Sequence, residues 1–303
     1  MWKTIQEWMT QLFSADLRFV LIGVCVYWLG AVAVAMRWRS LLHGLSCSVS
    51  LREAMLANLA FTFVNNVTPG RVGGEILRVA ILRRRTQVDW QRAAAASMYD
   101  RLVDLTGVPL IVLLSLPALP LLVGRVRLLL SRLPLARLTP LLLGIALAGL
   151  VVVLLVRRAP QFRDRLRRLV SSLESWVMPR RSLLQSMGWA WTVWLLDATR
   201  LLIVALAFRC VLGPSQAAAL SLAYNIGAAV PIMGGLGAVE GSLTATLCLF
   251  GTTVKTAVAI TILERTISYV QGTLAGGVAL LAMGGRSLLR TVKSPPSSGE
   301  KTG

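Results

Sequence analysis

The sequence predicts an all-α polytopic membrane protein, and three observations support this prediction. Hydrophobic residues make up 55% and charged residues 15% of the 303 residues, whereas a soluble domain carries roughly 25% charged residues. Several apolar runs reach about 18–20 residues, the length that crosses a roughly 30 Å hydrocarbon core. Two further apolar stretches are interrupted by glycine-rich motifs. We therefore expect about five full spans plus two re-entrant helical hairpins, which together form an inverted repeat.

The net charge of +19 comes from 32 basic against 13 acidic residues. The arginines cluster at the ends of apolar runs, as at 83–85 and 157–168, and do not spread over one soluble face. Such clusters are typical of cytoplasmic loops and attract anionic lipid headgroups. We therefore expect membrane lipids with anionic or phosphate-bearing headgroups as partners, and no nucleic acid.

Few residues of the sequence are suited to metal or nucleophilic chemistry. His43 is the only histidine, so neither a histidine-based triad nor a histidine metal cluster can be built. The four cysteines lack the CxxC spacing of metal and redox sites; they are Cys25, Cys47, Cys210 and Cys248. The sequence therefore predicts no metal site, no cofactor and no catalytic residue.

Full spans are predicted from the apolar runs at 19–36, 97–121, 139–156, 183–208 and 256–283. The positive-inside rule puts the basic segment 157–182 and the C-terminal tail in the cytoplasm, and the N-terminus outside. The loop 123–138 is basic and yet falls outside, so it is the one exception. We expect the protein in the inner (plasma) membrane of a bacterium.

The predicted domain organisation is simple. One integral membrane domain covers 1–285, and a disordered cytoplasmic tail covers 286–303. Repeat one spans about 17–121 and repeat two about 183–283. A membrane span and a basic amphipathic segment, together 139–182, link the two repeats.

Two glycine-rich motifs mark the predicted hairpins and indicate a duplication. The motif "NNVTPGRVGGE" ends at Glu75, and "VPIMGGLGAVEG" contains Glu240, 165 positions later (240 − 75). An acid–arginine dipeptide follows each motif inside an apolar span, Asp100-Arg101 in one case and Glu264-Arg265 in the other. Matching features at a nearly constant offset argue for two copies. The predicted topology gives these copies opposite orientations, as in many secondary transporters.

The turns of the two hairpins are predicted from proline and glycine, because proline breaks a helix and glycine lets backbone approach a substrate. The turn residues are Pro69, Gly70, Gly73 and Gly74 in the first motif, and Pro231, Gly234, Gly235 and Gly237 in the second. Arg71 has no counterpart in the second motif, so we expect an asymmetric site.

Charged side chains inside apolar spans cost at least about 2.5–3.5 kcal/mol each, so they need a partner or a purpose. The predicted substrate-binding residues are Asn65, Arg71, Glu75, Asp100, Arg101, Glu240, Glu264 and Arg265. In the functional interpretation, Arg101 and Arg265 meet near the central axis and hold a lipid phosphate. Glu75 and Glu240 then take a cationic part of the headgroup, or couple movement to protons.

In the alternative interpretation these charges only neutralise one another. Glu75 would then pair with Arg265, and the same would hold for Glu240 with Arg101. Asp197 and Arg200 lie three residues apart on one predicted helix, so we expect a local ion pair between them.

The same motifs resemble a known family. The stretch 65–75 with arginines behind it, the Asp100-Arg101 dipeptide and the stretch 231–240 are similar to the transmembrane domain of lysylphosphatidylglycerol synthases. They also resemble the stand-alone, flippase-like membrane proteins built from that domain. The resemblance covers about 17–283. It implies that the domain moves a lipid between leaflets, while a separate soluble domain of the full-length synthases transfers the aminoacyl group.

Residues 284–303 leave no room for that soluble domain, so the resemblance implies a translocator of a phospholipid or lipid-linked headgroup, and not an enzyme. The alternative is a membrane enzyme or an accessory subunit of lipid modification. The sequence does not identify the lipid or a partner enzyme of lipid synthesis.

Overall fold

A computed structural model describes residues 14–68, 72–86, 90–132, 178–230 and 232–284. Within these ranges every regular element is a helix and no strand occurs, so the all-α prediction is confirmed. By internal packing the chain divides into two units. One unit comprises Met1–Ala118 with Met178–Gly303 and contains the candidate site, and the other comprises Leu119–Val177.

The N-terminal half of the site-bearing unit consists of one long helix, two shorter helices and a broken helix. These elements are α1 (Leu17–Gly44), α2 (Leu51–Val67), α3 (Val72–Thr86), α4 (Trp90–Leu105), α5 (Gly107–Ser115) and a 3-10 turn (Leu116–Ala118). Helix α6 (Leu119–Arg132) belongs to the second unit. Polar caps start the first helices: Asp16 accepts a hydrogen bond from the Arg18 N–H at 3.0 Å, and Ser50 forms a capping box with Glu53.

The C-terminal half repeats this order of elements. It contains α7 (Arg180–Leu206), α8 (Pro214–Ala229), a 3-10 turn (Met233–Gly235), α9 (Ala238–Leu249), α10 (Val254–Arg265), a π turn (Thr266–Val270) and α11 (Gln271–Ala282). A long helix is thus followed by two short helices and then by an interrupted helix, as in the N-terminal half.

Three helices of the described residues are long and apolar enough to cross a membrane: Leu17–Gly44, Ala95–Leu128 and Arg180–Leu206. They coincide with the first, second and fourth predicted spans. The span predicted at 139–156 and most of the basic segment 157–182 lie outside the described residues, as does the predicted tail. The number of spans therefore stays a prediction.

The two halves exchange helices. Helix α1 packs along α7, its equivalent in the order of elements. The interrupted helix of each half packs on the first short helix of the other half, so that α5 contacts α8 and α11 contacts α2. Each pair of short helices is therefore covered by an element from the opposite half.

The outer surface carries apolar side chains in regular stripes. On α11, Leu274, Val278 and Leu281 are 68%, 67% and 74% exposed, and their spacing of four and three residues puts them on one face of the helix. Leu17, Leu21 and Leu29 of α1 are also exposed. Contiguous apolar exposure of this kind suits contact with lipid.

The first glycine-rich motif is more helical than the sequence suggested. Asn65 lies in the last turn of α2, and Gly73 and Gly74 lie in the first turn of α3. The Asn65 side-chain oxygen accepts a hydrogen bond from the Gly74 N–H at 3.1 Å, so this asparagine caps α3 from the preceding helix. A Cβ at Gly74 would collide with that amide. The other predicted turn residues, Pro69 and Gly70, and the predicted binding residue Arg71 lie outside the described residues.

The second motif forms an irregular turn in which three glycines have positive φ. Gly234 and Gly235 belong to the 3-10 turn, with φ of 57° and 69°. Gly237, with φ of 84°, is the N-cap of α9. L-residues rarely adopt this left-handed conformation, and a Cβ at Gly234 would also collide with the Tyr269 ring. Pro231 lies outside the described residues.

The close approach of α11 to α2 predicts opposite effects for two glycine replacements. A Cβ at Gly276 would collide with the Leu59 carbonyl oxygen and lie 2.8 Å from the Cβ of Phe63, so Gly276→Ala is expected to cost about 1–3 kcal/mol through overpacking. A Cβ at Gly188 in α7 meets no described heavy atom within 4 Å, and Gly188→Ala should be neutral or stabilising by up to about 1 kcal/mol. Unfolding free energies from SDS titration in mixed micelles measure both. Equal effects of the two replacements would contradict the packing of α11 on α2.

Candidate functional site

One carboxylate ties three helices of the N-terminal half together. Asp100 of α4 is 3% exposed. It accepts hydrogen bonds from the Nε of Arg37 on α1 at 2.9 Å and from the Nη1 of Arg78 on α3 at 2.7 Å. Arg37 also pairs with Asp104, one turn further along α4. Charge-assisted bonds of this kind offset the cost of burying the ions.

The C-terminal half contains a similar group. Glu264 of α10 is fully buried, and its Oε1 lies 2.9 Å from the Nη2 of Arg200 on α7. Arg200 also donates to Asp197, one turn earlier on α7, at 2.9 Å. The local Asp197–Arg200 pair expected from the spacing is therefore confirmed, and Glu264 is an additional partner of the same arginine.

The two groups are built alike. Arg37 and Arg200 lie on the long helices of the two halves, 163 positions apart (200 − 37). Each binds the acid that directly precedes an arginine, Asp100 in one half and Glu264 in the other. We call these two groups the inner ion pairs. They hold α1 to α4 in the N-terminal half and α7 to α10 in the C-terminal half.

A second set of pairs corrects the expected partners. The Nε of Arg101 donates to Glu75 at 2.8 Å, and the Nε of Arg265 donates to Glu240 at 2.6 Å. The expected pairing of Glu75 with Arg265 and of Glu240 with Arg101 is therefore wrong. The reason is local: α3 packs on α4 and α9 packs on α10. Each glutamate, in the first turn of its helix, consequently faces the arginine of the next helix in the same half. We call these the outer ion pairs.

The outer pair of the C-terminal half also holds its glycine turn. The Nη2 of Arg265 donates to the Gly234 carbonyl oxygen at 2.8 Å, and its Cζ lies 4.6 Å from the ring centroid of Tyr269. The Glu240 carboxylate accepts from the Gly237 N–H at 2.6 Å. Two of the side chains at this turn, Arg265 and Tyr269, also line the cavity described next.

A polar cavity of about 280 Å³ lies between the two halves of the site-bearing unit. Five arginines and three aspartates line it: Arg37, Arg78, Arg101, Arg200, Arg265, Asp100, Asp104 and Asp197. The three glutamates that pair with these arginines are not among its described lining residues. Counted together with those glutamates, the five arginines face six carboxylates, so the wall carries no excess of positive charge. What it offers a ligand is arginine donors that can form charge-assisted hydrogen bonds.

The C-terminal end of α2 and the π turn form another part of the wall. The Asn66 side chain donates to the Thr273 hydroxyl at 2.8 Å, and the Tyr269 hydroxyl donates to the Asn66 carbonyl at 3.3 Å. Asn66, Ser268, Tyr269 and Gly234 all line the cavity. The π turn directly follows Arg265; such turns recur at functional sites.

The structure brings most of the predicted binding residues to this cavity. Those that line it are Asn65, Asp100, Arg101 and Arg265. Those that pair with a lining residue are Glu75, Glu240 and Glu264. Arg71 lies outside the described residues.

Sequence reasoning missed several lining residues, and three polar ones among them are Arg37, Arg78 and Asn58. Arg37 directly follows the span predicted at 19–36, and its offset of 163 positions from Arg200 could have identified it. Arg78 interrupts the apolar stretch 76–82 and is 1% exposed, a signal that was available. Asn58, 5% exposed on α2, has no distinguishing sequence pattern.

Comparison with known proteins decides the family. The family model described as the lysylphosphatidylglycerol synthase TM region matches residues 1–276. The chain belongs to this family. The resemblance drawn from the sequence motifs is thereby confirmed, and the protein is an integral membrane protein.

Similar curated proteins come from archaea. A UPF0104 membrane protein of Pyrococcus horikoshii is 23% identical, over 92% of this chain and 91% of the relative. Two UPF0104 membrane proteins of Methanothermobacter thermautotrophicus are 25% and 23% identical, over 91% and 84% of this chain and 85% and 82% of the relatives. Their names describe a membrane location and no activity.

The inner and outer ion pairs are expected to differ in their contribution to stability. The Arg200 side chain is 7% exposed and serves two carboxylates, so Arg200→Met should cost about 3–5 kcal/mol by leaving buried charge uncompensated. The Arg101 side chain is 49% exposed, so Arg101→Met should cost about 0–1 kcal/mol. SDS titration in mixed micelles measures both. A cost for Arg200→Met no larger than that for Arg101→Met would contradict the structural role of the inner pairs.

Proposed function

We propose that this protein is a flippase-like lipid translocator, which moves a phospholipid or a lipid-linked headgroup between the leaflets of the membrane. The observation that supports the proposal is an arginine-lined cavity inside a helical membrane protein. Ionisable groups at membrane depth are costly and typically mark a substrate path. A headgroup that crosses the hydrocarbon core needs such a polar path.

The size of the cavity suits a headgroup and excludes acyl chains. Its volume of about 280 Å³ falls just below the range of roughly 300–1,000 Å³ typical of small-molecule pockets. A phosphate with a small polar substituent fits such a space. In the proposed mechanism the headgroup passes through the protein. The acyl chains of the same lipid stay in the bilayer, beside exposed apolar stripes such as that of α11.

The two sets of ion pairs suit different tasks in this mechanism. The inner acids Asp100 and Glu264 have side chains that are 5% and 0% exposed, so they hold the frame. The outer acids Glu75 and Glu240 are 22% and 32% exposed, and a phosphate that enters the cavity can compete with them for their arginines. Arginine binds carboxylate and phosphate with the same fork of donors.

The proposal includes an inverted repeat. The pairs α2–α3 and α8–α9 would be re-entrant hairpins that enter from opposite faces, within a single membrane domain. Rocking of one half against the other would then open the cavity to each leaflet in turn. The exchanged packing of α5 on α8 and of α11 on α2 is the contact that such a movement would change.

Transport, and not catalysis, is the activity we propose. The lining acids Asp100, Asp104 and Asp197 are all engaged by arginines. Ion pairs can exchange partners with a charged substrate, whereas a general acid or base needs a proton free to transfer. The proposal sets this activity in the inner (plasma) membrane of a bacterium and leaves open a partner enzyme that makes the lipid.

Leaflet exchange in reconstituted vesicles tests the proposal. The vesicles contain phosphatidylcholine and a trace of phosphatidylglycerol with a fluorescent acyl chain, and external dithionite quenches the probe in the outer leaflet. Wild-type protein should make the inner-leaflet probe accessible faster than in protein-free vesicles. Arg265→Gln removes charge-assisted hydrogen bonds at the cavity and should slow exchange by about tenfold or more.

Arg52→Gln is the matched control, because Arg52 is exposed in the first turn of α2 and does not line the cavity. It should exchange lipid like the wild type. The proposal fails if wild-type vesicles exchange fluorescent phosphatidylglycerol, phosphatidylethanolamine and phosphatidylcholine no faster than protein-free vesicles do.

A further inference from the structure

Arg78 is the most unusual charge in the cavity wall. It is 1% exposed, and its Cζ lies 4.3 Å from the ring centroid of Trp38 and 5.0 Å from that of Phe61. Its Nη1 donates to Asp100, but among the described residues its Nε and Nη2 have no hydrogen-bond partner. Buried donors without a partner are rare, and those on a charged group are especially costly.

In the C-terminal half the corresponding acid, Glu264, pairs with Arg200 and with no second arginine among the described residues. Asp100 already has Arg37 as a partner, so Arg78 is a second positive group on the same acid. In the C-terminal half, Leu243 lies 165 positions after Arg78 (243 − 78) and is 1% exposed. An apolar side chain therefore fills the corresponding place in the other half, and packing alone does not account for an arginine.

Asn58 is a second polar group without a full set of partners. It lies on α2 three residues before Phe61, whose ring contacts Arg78. Asn58 is 5% exposed, lines the same cavity, and its Oδ1 accepts no hydrogen bond from the described part of the chain. The cavity thus offers unpartnered donors on Arg78 together with an unpartnered acceptor on Asn58.

The other cavity arginines are less available for a ligand. Arg101 is bound to Glu75 through Nε and Nη2. Arg265 is bound to Glu240 and to the Gly234 carbonyl. The phosphate-binding role that the sequence suggested for these two arginines would therefore require existing bonds to break, whereas the buried Nε and Nη2 of Arg78 have no hydrogen-bond partner among the described residues.

We propose that Arg78 and Asn58 form the headgroup-recognition point of the cavity, and that its ligand is a phosphodiester with a hydroxyl- or amine-bearing substituent. The Nε–H and one Nη2–H of Arg78 point to the same side of the guanidinium and bind two phosphate oxygens as a fork. Trp38 and Phe61 hold the guanidinium plane in place. Asn58 accepts a hydrogen bond from the substituent. This inference rests on the proposed function, since it identifies the lipid class that the translocator would carry.

Binding of short-chain lipids to the purified full chain in maltoside micelles tests the recognition point. The probe is dihexanoyl phosphatidylglycerol, followed by isothermal titration calorimetry. Arg78→Leu, which introduces the residue type of the other half, should weaken binding by about tenfold to a hundredfold, since charge-assisted hydrogen bonds are lost. Arg78→Lys keeps the charge but not the fork and should fall between the two. Arg52→Leu should bind like the wild type.

Asn58→Leu gives a ligand-specific test. It should weaken binding of dihexanoyl phosphatidylglycerol but not of dihexanoyl phosphatidylmethanol, whose headgroup has no hydroxyl donor. Dihexanoylglycerol, which has no phosphate, should not compete. Glycerophosphoglycerol, the same phosphodiester without acyl chains, separates two sources of this chemistry. Weaker binding than the lipid identifies a lipid headgroup, equal binding identifies a free phosphodiester, and both outcomes support the site if Arg78→Leu weakens them.

Wild-type affinity in Arg78→Leu overturns the inference. If that variant does not remain monodisperse, wild-type affinity in Arg78→Lys overturns it equally. The two proposals fail separately. If a folded Arg78→Leu variant exchanges lipid at the wild-type rate, the recognition point is contradicted and the translocation proposal is not. If lipid binding depends on Arg78 but the wild type exchanges no lipid, translocation is contradicted and the recognition point is not.

Discussion

The cost of burying charge in a membrane is the constraint from which the rest of the structure follows. Asp100 and Glu264 lie inside apolar segments, and each is stabilised by an arginine from the long helix of its own half. Those pairs fix how α4 lies against α1 and how α10 lies against α7. The directions of the following arginines, and hence the shape of the cavity, depend on these two contacts. An uncompensated carboxylate at either position would cost more than most single packing changes.

The all-α class and three of the spans could be predicted from the sequence, because composition, the length of apolar runs and the positions of glycines are local properties. The pairing of the charges could not be predicted from the sequence. Which arginine lies nearest to Glu75 depends on whether α3 packs on α4, the next helix of its own half, or on a helix of the other half. The burial of Arg37 could not be predicted either. It lies near other basic residues in the sequence and resembles a loop charge, yet it is 6% exposed. The helical placement of Gly74 depends on a cap from Asn65, nine residues earlier, which no turn propensity reveals.

The differences between the halves are as informative as their likeness. The inner and outer ion pairs recur in both halves, as would be expected if one structural task were retained twice. Arg78 and Leu243 differ in charge although both are 1% exposed, and of the two only Arg78 is among the described residues that line the cavity. A lipid is itself asymmetric, with one phosphate and one substituent. A perfectly symmetric site would offer it two equivalent orientations, and a single unmatched arginine removes that ambiguity.

The exchange of helices between halves also sets the order in which the chain can be completed during synthesis. Helix α2 leaves the ribosome long before α11, the helix that packs on it. At Gly276 the absence of a side chain lets the α2 backbone approach α11 closely. Until α11 is made, the face of α2 that it covers has no partner. A chain that stops before residue 271 could therefore pair Asp100 with Arg37 but would leave that face of α2 uncovered.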